Sequence, residues 1–111
     1  MTTLSSTPDI LSRLKKRLMP CISPQPVVLD RGEGAQVFDV DGRRYVDFIG
    51  GLAVVGLGHA HPAVVAAVEK QARRLMHVSN MYASTPAVEL AERLCANAFA
   101  DRVFFCNSGA E

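Results

Sequence analysis

The chain has 111 residues, 49% of them apolar and 21% charged, with a formal net charge of +1. This balance lies in the globular range and excludes disordered and collagen-like chains, and the near-neutral charge argues against a dedicated nucleic-acid surface. A chain this short buries a modest fraction of its surface on folding, so its core has little margin.

Met1 to Ser6 is small and polar and is expected to fray. No basic stretch followed by an apolar one opens the chain, so the start does not read as a secretory signal. From Asp9 to Met19, Ile10, Leu11, Leu14 and Leu18 recur at helical spacing, with Arg13, Lys15, Lys16 and Arg17 at the other positions. This pattern predicts a short amphipathic helix with a solvated basic face. Pro20, Pro24 and Pro26 end it and impose an extended linker.

From Val27 the period becomes that of strands. Val27–Asp30, a turn at Arg31–Gly34, Ala35–Val40, the pair Asp41-Gly42 and Arg43–Ile49 read as a three-stranded antiparallel meander. An Asp-Gly pair between alternating apolar runs is a strong hairpin signal, because Gly tolerates the positive φ such turns require. Asp39–Gly42 is not a calcium loop, since Val37 and Phe48 stand where the first and last carboxylates would be needed.

Gly50 to His61 is a flexible apolar loop that feeds a helix beginning at Pro62, a residue suited to the first helical position. Val64, Val65, Val68, Ala72, Leu75 and Met76 form its apolar stripe. A second helix from Thr85-Pro86 is expected to bury Ala87, Leu90, Ala91, Leu94 and Ala98. Arg102 to Cys106 reads as a buried strand, and Asn107 to Glu111 as the turn into another helix. A strand, a small-residue turn and a helix start make half of a βα unit, so the sequence is expected to be truncated. The longest near-apolar run, Phe48 to Gly58, is shorter than the roughly 20 residues of a membrane-spanning helix, and the protein is expected to be soluble.

The sequence VFFCNSGAE carries a chemical prospect. A helix beginning near Ser108 would present unpartnered N–H groups and the positive end of its dipole. Small residues would let a phosphate approach, and the Ser108 hydroxyl would add a donor. Many α/β proteins make such a turn without a ligand, so the pentapeptide alone does not decide the matter. His59 and His61 could supply two metal ligands, but no further His, Cys or carboxylate follows at suitable spacing. The expected roles are structural, with His61 capping the Pro62 helix and His59 packing in the loop. Ser79, Asn80 and Tyr82 read as a polar turn. The glycine-rich loop is neither a P-loop nor a dinucleotide fingerprint, and no nucleophile elbow is present. Cys21, Cys95 and Cys106 are odd in number and lack ligand spacing, which disfavours a disulfide framework or zinc site and fits a reducing cytoplasm. Cys106 is expected to be an inert core thiol.

The motifs DGRRYVDFIGGLAV, LGHAHP, HVSNMY and FFCNSGAE occur in that order. Together with their spacing they resemble the amino-terminal part of class III aminotransferases, with the acetylornithine aminotransferase branch nearest. The resemblance runs from about Met19 to the last residue. It implies an α/β architecture, the amino-terminal segment of a fold-type I aminotransferase: helix, antiparallel β-meander, two helices, then the first strand of the large-domain sheet. Residues 1–100 would belong to the small domain and interdomain helices, and 101–111 would open the large cofactor-binding domain. Ser108, Gly109 and Ala110 would hold the phosphate of pyridoxal 5'-phosphate. Gly50 to His61 and Ser79 to Tyr82 would lie near the substrate entrance or the dimer interface.

The reaction implied is a ping-pong transfer of an amino group from N-acetylornithine to 2-oxoglutarate, giving glutamate, by a homodimer in arginine biosynthesis. The cofactor-binding lysine and the carboxylate at the pyridine nitrogen have no matching positions here. Lys15, Lys16 and Lys70 sit on amphipathic helices and are not candidates, so the isolated segment is expected to be inactive. The resemblance leaves open succinylornithine, succinyldiaminopimelate, ornithine or 4-aminobutyrate as substrate. A non-catalytic interaction fragment is the alternative from another class.

Overall fold

The computed structural model describes residues 6–21 and 23–111, so the expected frayed start lies, Ser6 apart, outside them. The chain divides into two compact units, residues 1–70 and 71–111.

The first unit opens with α1 (Thr7–Arg17), where Pro8 occupies the first turn and Asp9 pairs with Arg13 at 3.7 Å on an exposed face. A three-stranded antiparallel meander follows, with strand order β1 (Leu29–Glu33), β2 (Gln36–Asp39), β3 (Arg44–Val46). The first turn falls later than the sequence predicts. Arg31, Gly32 and Glu33 stay in β1, opposite Phe38, Val37 and Gln36. The reversal is made at Gly34, which has a φ of +55°. The register shifts between Leu29 and Arg31, and the Arg31 guanidinium lies 3.5 Å from the centre of the Phe38 ring across the ladder.

The second hairpin closes where Asp41-Gly42 predicts, through a loop of Val40, Asp41 and Gly42. Gly42 N–H donates to the Asp39 carbonyl at 3.0 Å, and Gly42 supplies a φ of +85°. Among the described residues the buried side chains are Val37 and Asp39, at 6% and 5% exposure on the same face of β2. A carboxylate at that depth must be fully satisfied, and Asp39 is. Its Oδ1 accepts from Asp41 N at 3.0 Å and Arg43 N at 2.7 Å, and its Oδ2 from the Tyr45 hydroxyl at 2.8 Å. Burial pushes the Asp39 carboxyl up, but the donors at Tyr45, Arg43 and Asp41 and the Arg43 charge outweigh it, leaving it below its ordinary value. The same bond to Asp39 raises the Tyr45 hydroxyl.

The expected third strand to Ile49 ends at Val46, because Asp47 turns its side chain back onto the chain. The loop then makes a single helical turn, α2 (Gly50–Ala53). Helix α3 (Pro62–Ala72) starts at Pro62 as predicted, with the Ala63 N–H donating to His61 Nδ1 at 3.3 Å.

In the second unit, α4 (Thr85–Asn97) has Pro86 in its first turn and Ser84 as the flanking residue. The predicted burial of the helix stripes does not occur within this chain. Val64, Val65 and Val68 on α3 and Leu90 and Leu94 on α4 are each more than two-fifths exposed. Amphipathic patterning requires an apolar surface opposite, and the described residues do not provide one. Likewise Arg102 to Cys106 forms no strand, since a ladder needs a second strand and none of the described residues pairs with it. Among the described residues no helix is long and apolar enough to cross a membrane.

Candidate active site

The residues predicted to bind a phosphate form an exposed turn in the second unit. Ser108 carbonyl accepts from Glu111 N at 3.2 Å and from Cys106 Sγ at 3.3 Å. Glu111 Oε2 accepts from the Asn107 N–H, four residues back, at 3.0 Å. A single turn, not the expected helix, is what the described residues form. The N–H groups of Ser108, Gly109 and Ala110 and the Ser108 hydroxyl have no hydrogen-bond partner among the described residues. A Cβ built on Gly109 would meet nothing within 4 Å. Unpartnered donors on small residues fit a phosphate. Sequence reasoning missed the Glu111 carboxylate, whose bond to the Asn107 N–H carries no distinct sequence signal.

In the first unit the histidines separate into two roles. His61 caps α3 as described. His59 Nε2 lies 2.7 Å from Asp47 Oδ2, with both side chains partly buried. A carboxylate only accepts, so Nε2 carries the proton of this bond. Asp47 Oδ1 also accepts from Ile49 N and Gly50 N, both at 2.9 Å. The bond to His59, then those from Gly50 and Ile49, hold the Asp47 carboxyl below its ordinary value against the opposing effect of burial. The His59 backbone exchanges two hydrogen bonds with Gly34, at 2.8 and 3.0 Å. No group of three His, Cys, Asp or Glu side chains that could hold a metal occurs among the described residues. The Asp47–His59 contact was not foreseen from the sequence; a polar Asp leaving a strand just before Gly50-Gly51 was its available sign.

Two glycines let this junction close. A Cβ on Gly32 would lie 2.6 Å from His59 Cβ and Cγ, and one on Gly58 would lie 2.9 Å from the Gly34 backbone. The loop borders an apolar hollow of about 530 Å³, lined among others by Val54, Leu57, His61, Val64 and Val68. Within the loop, Gly50, Gly51, Leu52 and Ala53 all have positive φ, and Gly51 and Leu52 lie fully in the left-handed region. For a residue with a side chain this conformation costs roughly 1–2 kcal/mol.

Comparison with known proteins agrees with this architecture. Residues 20–111 match the family described as aminotransferase class-III. The chain is 50% identical over 98 residues to the acetylornithine aminotransferase of Neisseria meningitidis serogroup A, covering 88% of this chain and 25% of that protein. It is also 50% identical over 94 residues to the succinylornithine transaminase of Salmonella typhimurium, covering 85% and 23%. The crystal structure of acetylornithine aminotransferase from Elizabethkingia anophelis superposes with a TM-score of 0.91 at 34% identity, over 96% of this chain and 28% of that one. The fold is that of the amino-terminal segment of a fold-type I aminotransferase, and the chain belongs to the class-III aminotransferase family. It spans about a quarter of the length of the relatives it matches.

Proposed function

We propose that this chain is the amino-terminal part of a pyridoxal-phosphate-dependent transaminase that moves an amino group between N-acetylornithine and 2-oxoglutarate in arginine biosynthesis, acting as a cytoplasmic homodimer. The observation that carries the reading is the 50% identity over most of the chain to a relative named for acetylornithine. On this reading residues 1–100 belong to the small domain and its connecting helices, and 101–111 open the cofactor domain.

When bound, pyridoxal phosphate supplies the electron sink that lets an amino group leave one carbon skeleton and join another. In this chain Ser108, Gly109 and Ala110 would hold its phosphate, with their N–H groups and the Ser108 hydroxyl as the available donors. Such an anchor orients the cofactor and leaves the chemistry to groups outside the described residues. Lys15, Lys16 and Lys70 stand exposed on α1 and α3 and take no part.

A second reading, succinylornithine as amino donor, is favoured by the equal identity to the Salmonella relative. Measuring kcat/KM of the full-length enzyme for N-acetylornithine, succinylornithine, succinyldiaminopimelate, ornithine and 4-aminobutyrate, with 2-oxoglutarate as acceptor, separates them. The expected result is highest efficiency on N-acetylornithine, because discrimination is differential transition-state binding. Highest efficiency on succinylornithine would establish the second reading. A higher value for 4-aminobutyrate than for either acylated ornithine would overturn both.

A further inference from the structure

We infer that Asp47 and His59 form a latch that holds α2 in its left-handed form, with Leu52 and Ala53 as the residues under strain. Gly50 and Gly51 adopt positive φ at no steric cost, whereas Leu52 (φ 62°) and Ala53 (φ 63°) do not. Burial does not hold them there, since Leu52 is 86% exposed and α2 has no buried residue. Strained backbone persists only where its surroundings over-determine it.

The determinant lies at the start of the turn. Asp47 Oδ1 takes the Ile49 and Gly50 N–H groups, and its Oδ2 is fixed by His59 Nε2. His59 is in turn fixed to the β1–β2 turn by its two backbone bonds to Gly34 and by its side chain, which fills the space above Gly32. Among the described residues the Asp47 carboxylate therefore joins the β1–β2 turn, through His59, to the start of α2. Ala53, Val54 and Val55 N–H groups close the turn onto Ile49 and Gly50 carbonyls at 2.8 to 3.0 Å, and their exchange with solvent reports whether it is intact. Without the latch, Leu52 and Ala53 relax to the right-handed region and those bonds are lost. This inference is independent of the catalytic reading.

Amide hydrogen exchange on the full-length protein tests it. His59→Phe keeps a ring above Gly32 and removes the donor to Asp47. The amides of Ala53, Val54 and Val55 are expected to exchange roughly tenfold faster or more, as for loss of a hydrogen bond to a charged group, with the β2 amides unchanged. Adding Leu52→Gly to His59→Phe removes strain and is expected to restore much of the protection. Should His59→Phe also loosen β2, Asp47→Asn, which leaves His59 packed, is read in the same way. Unchanged exchange at Ala53 to Val55 in the single variant, or no recovery on adding Leu52→Gly, would overturn the latch.

Discussion

The side chain of His59 occupies the space that a Cβ on Gly32 would need, with the two His59 carbons 2.6 Å from that position. Gly32→Ala is therefore expected to displace His59 and destabilise the junction by about 1–3 kcal/mol, the usual range for overpacking. Gly58→Ala, which meets the Gly34 backbone and must hold a φ of +84°, is expected to do at least as much. Gly56→Ala is the control, since its Cβ would meet nothing within 4 Å and should change stability by about 0.5 kcal/mol or less. Thermal or denaturant unfolding of the three variants is the measurement; equal effects at Gly32 and Gly56 would contradict the assignment.

The phosphate turn gives a cleaner chemical prediction because the chain itself leaves room at Gly109. A Cβ on Gly109 meets nothing within 4 Å, so Gly109→Val adds its bulk where the phosphate is proposed to approach. We expect Gly109→Val to release pyridoxal phosphate markedly faster. Ser108→Ala removes one donor and leaves three amides, and should weaken retention by about 1.5 kcal/mol, roughly tenfold. Cofactor dissociation, followed by absorbance after dilution, decides. An unchanged rate in Gly109→Val would move the phosphate elsewhere.

Asp39 and Tyr45 make the meander sensitive at both ends of the pH scale. The Asp39 carboxyl is lowered in the fold, so its contribution is fully present above the unfolded value of about 3.9 and is lost as pH falls through the folded one. The Tyr45 hydroxyl is raised, so its contribution is present below about 10 and is lost as pH rises through its folded value. Tyr45→Phe removes the donor to Oδ2 and is expected to shift the Asp39 titration upward and to abolish the alkaline loss. Carboxyl NMR titration of the two proteins tests this; an unshifted Asp39 would show that the Tyr45 bond does not govern it.

The 111-residue chain expressed by itself is expected to show no transaminase turnover. Borohydride reduction in the presence of pyridoxal phosphate should give no stoichiometric, site-specific label at Lys15, Lys16 or Lys70. Such a label accompanied by turnover would reverse the view that these lysines only solvate α1 and α3.

The parts of this architecture legible in the sequence are those set by local rules. Asp41-Gly42 marks a hairpin because only the residues of the turn decide it, and Pro62 marks a helix start for the same reason. The turn at Gly34 was harder, since Gly32 and Gly34 look alike in sequence. One glycine serves backbone φ and the other makes room for His59, a residue far along the chain. The meeting of Asp47 and His59 was similarly opaque: one leaves a strand and the other lies in a later loop, and no periodicity encodes it. The N–H groups of Ser108 to Ala110 were expected from a helix start, and the described residues place them on a single turn instead. The absent strand at Arg102 to Cys106 marks the opposite limit, where apolar composition predicts pairing that no described residue supplies.

The meander pairs residues close along the chain, Leu29 with Asp39 and Phe38 with Arg44, whereas Gly34 joins His59 across β2, β3 and α2. Short hairpins close on the order of microseconds, and closing the longer loop costs more chain entropy. Refolding should therefore protect the strand amides before those of Gly34 and His59, an order that pulse-labelled hydrogen exchange would reveal or refute. A junction that forms after the rate-limiting barrier leaves its mark on escape from the native state, so Gly58→Ala should speed unfolding while barely slowing refolding.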